Sequence, residues 1–275
     1  MSHLVLTARL DVHESVRARW FLVYALIFGG IVAAFFAFGV TESRVLGFMG
    51  LSRLLVTYIQ LAMAIMPIFI LLTTVRSVAG DREAGVYEYL LSLPVGLASW
   101  YWGRLIGRFL TVFLPVFLAM LGAAVWASYR EIEVPWRMFG VYTGLLAAMS
   151  WCFLGLGMFI SSLARSTDVA QGAAFVLWLV CLLFLDLILL GVMIQGRVPA
   201  DVVVGVALLN PLQVFRTGAL MLFDPQLVVF GPAAYVIYDH FGGPLFIGYA
   251  MAYPTLLGTA AASVGYSLFR RGDLV

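Results

Sequence analysis

Three sets of side chains could carry chemistry. The first is a charged run, Asp81-Arg82-Glu83, with Glu88 a little further on and Gly85 and Pro94 bracketing an apolar edge of Val86, Leu90 and Leu93. A short helix with a charged start and a greasy edge fits a groove on a partner protein; a plain connecting helix would have the same pattern. The second is Asp186, the one acid deep in an apolar run, Phe184–Leu190. An ionisable group there marks a functional interior position or a hydrogen-bond anchor between helices, with Gln60, Arg53 and Arg216 as candidate partners. The third is sulfur. Met63/Met66 and Met149/Cys152 fall at i, i+3, and soft ligands suit Cu(I), but methionine is also a common core filler. Cys152 and Cys181 make no C-x-x-C and no zinc spacing; they read as small apolar residues in packed helices.

The classes excluded are as informative. There is no H-E-x-x-H and no G-x-S-x-G, and the three histidines are scattered. The chain has no lysine, so a phosphate-cradling G-x-x-x-x-G-K-[ST] loop cannot form. No catalytic, cofactor or metal site is expected. If ATP and magnesium drive this protein, another polypeptide binds them. An all-arginine basic set with net charge +2 gives no reason to expect nucleic acid as a partner.

What must position these residues is a membrane-embedded body. Hydrophobic residues make up 63% of the chain and charged residues 11%, against about 25% charged in a soluble domain. Apolar stretches at Trp20–Val40, Leu54–Val75, Leu105–Trp126, Phe139–Leu163, Val169–Ile194 and Leu245–Phe269 each exceed the ~20 residues needed to cross the hydrocarbon. Backbone groups in lipid must bond within their own segment, so these are read as helices, giving an all-α integral membrane protein with six spans. The first is longer than a signal-peptide h-region and is taken as retained. With both termini inside, inner segments hold ten arginines and outer ones six; that bias favours cytoplasmic termini in an inner membrane.

One membrane-embedded unit, 1–275, divides by its loops. Residues 1–19 form an amphipathic helix, with Val5, Ala8, Val12 and Val16 on one face and Arg9, His13 and Arg17 on another, suited to the headgroup plane and membrane lipid. Residues 76–104 are an inner segment in which Asp81 caps a short helix that Pro94 ends. Residues 164–168 are a tight turn that makes spans four and five a hairpin. Residues 195–244 are a long, apolar outer segment, read as short helices lying at the outer interface or dipping partway in. Its exposed greasy surface suits an outer partner. The alternative is a seventh span at Val202–Phe223, which would bury Asn210, Pro211, Gln213 and Arg216. Pro67, Pro115 and Pro254 kink their spans. Gly103/Gly107 and Gly140/Gly144 have the spacing for close helix approach.

Gly80-Asp81-Arg82-Glu83-Ala84-Gly85 and then Glu88-Tyr89-Leu90-Leu91-Ser92-Leu93-Pro94-Val95 resemble the loop between the second and third spans of ABC-2-type transporter permeases. The six-span plan, N-terminal helix, long last outer loop and Phe269-Arg270-Arg271 ending extend that resemblance over the chain. It implies a permease that pairs with a second copy of itself and docks a cytoplasmic ABC ATPase through Asp81, Arg82, Glu83, Gly85, Glu88 and Pro94. On that reading, alanine at Glu83 and Glu88 weakens docking or uncouples it. Tyr87 departs from the Thr, Ser or Leu frequent there. A narrower resemblance rests on Phe184–Leu190 and on Leu208-Leu209-Asn210-Pro211 with Val214-Phe215-Arg216. These are similar to the permease branch serving nitrous-oxide reductase maturation, which implies a periplasmic β-helix partner and a copper enzyme as beneficiary. Alternatives are an ABC-2 exporter of lipid, drug or peptide, an integral-membrane enzyme, or a secondary transporter.

Overall fold

A computed structural model describes residues 3–17, 48–86, 96–129, 131, 134–184, 187, 191, 199–223 and 241–272. The expected first span, Glu88, Pro94 and Asp186 lie outside the described residues. Everything regular that is described is helical: α1 (His3–Arg17), α2 (Phe48–Thr74), α3 (Arg76–Glu83), α4 (Leu97–Tyr129), α5 (Trp136–Leu163), α6 (Thr167–Leu179), α7 (Ala200–Ala207), α8 (Pro211–Phe223) and α9 (Gly243–Gly272). Ala62–Glu83, Leu97–Tyr129, Trp136–Leu163 and Gly243–Arg271 are long and apolar enough to cross a membrane, and Thr167–Leu183 is apolar but shorter. Four of the six expected spans are therefore met at full length among the described residues.

The helix lengths explain where charge can sit. α4 has 33 residues, about 50 Å at 1.5 Å per residue, so it outruns a ~30 Å hydrocarbon core. Its first turns project from the bilayer, and Arg104 and Arg108 belong to them. Within the spans, hydroxyls bond back to their own helix, as Thr111 does to the Gly107 carbonyl at 2.9 Å and Ser150 to that of Leu146 at 2.6 Å.

Helix approach is set by glycine. α5 and α6 form the expected hairpin through the Ala164–Ser166 turn, yet the backbone of α5 lies directly against α9. A methyl on Gly155 would fall 2.0 Å from the Gly258 carbonyl oxygen, and one on Gly258 would fall 2.6 Å from Cys152 Cα. Trp151 clamps the same crossing by donating its indole N–H to Thr259 Oγ1 at 2.9 Å. The Gly103/Gly107 pair does allow close approach, but of α1: added methyls would meet Thr7 Cβ and the Ala8 carbonyl oxygen, each at 2.8 Å. Gly144 meets only the end of Met251, and Gly140 faces open space, so that pair makes no two-point contact.

Two expectations are corrected. Asp81 does not start a helix. It lies in the last turns of α3, and the segment stops at Gly85, whose φ of +67° is the left-handed conformation glycine adopts at a helix end. The buried edge of α1 is Ala8 and Asp11, while Val5, Leu6 and Leu10 are exposed; glycine contact and charge outweigh the valine stripe. Val202–Phe223 is two short helices, as preferred over a seventh span, broken at Leu208–Asn210, and α8 packs into the bundle, with Leu212, Val214, Phe215, Ala219 and Leu220 buried.

Gly155→Ala should lower stability by about 3 kcal/mol, because the methyl meets backbone that cannot give way. Gly122→Ala, in open space, should gain about 0.5–1 kcal/mol from helix propensity. Thermal unfolding in detergent, followed by tryptophan fluorescence, checks the opposite signs.

Candidate functional site

The α2–α3 break, the start of α4, the α5–α6 turn, α1 and the end of α9 meet at one end of the bundle. The break itself is made by a side chain. Ser161 of α5 accepts the N–H groups of Val78 and Ala79 at 2.9 and 3.0 Å and donates its hydroxyl to the Val75 carbonyl at 2.6 Å. It stands between two groups that would otherwise bond to each other along one continuous helix. The chain can bend at Val75 without leaving backbone groups unsatisfied.

Arg104 and Arg108 then tie this end together. Arg104 donates to the Asp81 carboxylate and, at 2.7 Å, to the Ser77 carbonyl. Its Nε lies 3.7 Å from Asp11 Oδ1, and its guanidinium stacks 4.7 Å over the Trp100 ring. Arg108 donates to Asp11 Oδ1 at 3.2 Å and to the Thr73 carbonyl at 2.7 Å. Asp11 is 3% exposed. Burial pushes its carboxyl above the ordinary range, and the two guanidinium groups pull against that shift. The end of α9 closes the cluster as Phe269 stacks on Trp100, with ring centroids 5.4 Å apart.

Arg82 and Glu83 point the other way, to the α5–α6 turn. Arg82 donates to the Ala164 carbonyl and, at 3.1 Å, to that of Ser162. Glu83 accepts the Thr167 N–H at 3.1 Å and its hydroxyl at 2.7 Å. A cation thus meets the carboxyl end of α5, and an anion meets the amino end of α6. Both match the partial charges of helix termini. Of the expected coupling residues, Asp81, Arg82 and Glu83 are therefore bonded within the chain, while Ala84 and Gly85 are exposed.

The opposite end holds the second motif. Asn210 is buried and caps α8, its Oδ1 accepting the Leu212 N–H at 3.1 Å, with Pro211 at the first helical position. Its Nδ2 donates to the Cys181 carbonyl at 2.6 Å, where α6 widens into a π turn, Val180–Phe184. Tyr249 and Tyr253 of α9 donate to the Leu208 and Leu209 carbonyls at 2.8 and 2.5 Å. Arg216 is half-buried on α8, and Gln60 is exposed on α2. Among the described residues, no three of His, Cys, Asp and Glu form a group that could hold a metal. Both cysteines are buried and free. Sequence reasoning missed Asp11, Ser161, Thr167 and the Tyr249/Tyr253 pair. An acid, Asp11, three residues from Ala8 on α1 and two tyrosines at i, i+4 were the available signals; nothing singled out Ser161.

Asp11→Ala should cost about 3 kcal/mol by leaving two arginines facing each other without their shared anion. A double-mutant cycle with Arg108→Ala, read by thermal unfolding in detergent, should give a coupling of about 1–3 kcal/mol.

The chain is similar in sequence to known proteins along most of its length. The chain is 26% identical over 272 residues to the probable ABC transporter permease protein NosY of Stutzerimonas stutzeri, covering 96% of each. It is 28% identical over 223 residues to the Pseudomonas aeruginosa protein of the same description, covering 79% of this chain and 81% of that one. Residues 6–274 match the model for the ABC-2 family transporter protein; with nearly the whole length matched, the chain belongs to the ABC-2 family, as a multi-pass membrane permease.

Proposed function

We propose that this permease is the membrane part of an ATP-driven complex whose ATPase is a separate polypeptide docked at the α3 end. The observation that carries this reading is the way α3 is held. Asp81, Arg82 and Glu83 are all engaged by the bundle, so the exposed Ala84 and Gly85, where the docking stretch begins, are presented on a rigid root. A docking segment that must pass on a push needs such a root. The missing lysine supports the division of labour, since the nucleotide's phosphates need a lysine-bearing loop that this chain cannot supply.

In this reading the docking contacts belong to residues 84–95, with Glu88 and Pro94 among them, and ATP with magnesium stays on the partner. The arginine bias supports a cytoplasmic location, at the inner membrane, for this end, both termini and the partner. A second copy of the chain completes the permease, and α1 lies against membrane lipid with Leu6 and Leu10 outward. Similarity to NosY proteins supports a role in assembling the copper site of nitrous-oxide reductase, with a periplasmic partner at the α7–α8 end. Export of another cargo is the competing reading, and a gene neighbourhood without a periplasmic repeat protein would favour it.

Co-expression with the neighbouring ATPase and affinity capture in mild detergent should recover both proteins. Glu88→Arg should reduce the captured ATPase at least tenfold while leaving the thermal stability of the permease unchanged. Full capture by Glu88→Arg would remove residues 84–95 as the docking segment. No capture by the unsubstituted chain would remove the ATP-driven reading itself.

A further inference from the structure

Two of the motifs singled out in the sequence grip the same helix at its two ends. α6 begins at Thr167, whose N–H and hydroxyl are both held by Glu83 of α3. It runs to the π turn at Val180–Phe184, where the Cys181 carbonyl is held by the Asn210 amide. Between those points lie about 20 Å of helix at ~1.5 Å per residue. We propose that α6 is the rod that carries displacement of the ATPase-docking segment to the α7–α8 segment at the far end of the bundle, with Glu83 and Asn210 as its two positioning residues. This rests on the proposed ATPase docking and adds the route by which it acts.

The chemistry of the two grips suits a transmitted load. At the near end the contact is charge-assisted and two-pronged, and Arg82 holds the carboxyl end of α5 beside it. The α5–α6 turn must therefore follow α3. At the far end, a π turn leaves carbonyls out of the regular helical ladder. One of them is taken by Asn210, the residue that also starts α8. A shift of α6 along its axis thus reaches the first turn of α8 through one short bond, and α7 through the adjoining Leu208–Leu209 link. Along its length α6 buries small side chains, Ala170 and Ala174, and Trp178 donates to the Ala64 carbonyl of α2 at 3.0 Å. α2 is continuous with α3 through the Val75 bend, so α2 and α6 are driven as a pair from the same end.

The test uses the whole permease–ATPase complex in a C152A/C181A background with two single-cysteine reporters. One is Arg165→Cys on the exposed α5–α6 turn. The other is Leu209→Cys, at a position 63% exposed between α7 and α8. Each is labelled with an environment-sensitive fluorophore, and its change on adding ATP is recorded. Both reporters should respond in the otherwise unsubstituted complex. Per captured ATPase, Glu83→Ala should reduce both responses at least fivefold. Asn210→Ser keeps an N-cap acceptor for α8 but withdraws the donor to Cys181. It should leave the Arg165 response intact and reduce the Leu209 response at least fivefold. A full Leu209 response in either variant, or loss of the Arg165 response in Asn210→Ser, overturns the rod. Failure of the unsubstituted chain to capture an ATPase overturns instead the reading on which the rod rests.

Discussion

Every helix that ends or bends near lipid exposes carbonyls and amides that the surrounding hydrocarbon cannot bond. This permease answers with side chains from neighbouring helices. Ser161 fills the break at Val75, Arg104 and Arg108 take the Ser77 and Thr73 carbonyls, and Arg82 and Glu83 take the two poles of the α5–α6 turn. At the other end Asn210, Tyr249 and Tyr253 do the same for Cys181, Leu208 and Leu209. The polar groups that look most like site residues are thus the groups that close the fold's open backbone. A bond that satisfies a helix end also ties that end to whatever donates it, so a structural duty is compatible with the proposed transmitting one.

The two ends are built with different chemistry. At the α3 end the links are ionic and clustered, with Asp11 and Asp81 sharing Arg104. Such a network holds several helices in one arrangement, and loss of any member leaves a charge without its partner. At the α7–α8 end Asn210, Tyr249 and Tyr253 make neutral hydrogen bonds to carbonyls. Neutral bonds are easier to exchange than paired charges. A stiff α3 end and a more adaptable α7–α8 end are what the proposed transmission between them requires.

Between them, the body is held by close contact rather than by polarity. Gly155 and Gly258 bring α5 and α9 into backbone contact, and Gly265 leaves room for the Tyr101 hydroxyl. Lipid tails are as apolar as leucine, so helices in a bilayer gain by approaching closely where small residues allow it. Large apolar residues are then free to face outward, as Leu110, Leu114 and Leu118 of α4 do.

The sequence by itself determined what depends on composition and local spacing. Hydrophobic runs longer than a bilayer made the spans, the missing lysine removed a phosphate loop, and the Gly80–Val95 pattern marked the family. Asn210-Pro211 was singled out only as part of a motif, although an N-cap followed by proline is a local signal for a helix start. Only the tertiary structure decided which charge meets which helix end. Asp11 and Arg108 are far apart in sequence, as are Ser161 and Val75, and no periodicity links them. That is why Asp81 read as the cap of a new helix when it anchors the end of an old one, and why the valine face of α1 misled. The energy of a buried charge or an unsatisfied carbonyl depends on what lies within a few ångströms of it, and that is fixed by packing between segments, not by the order of residues within one.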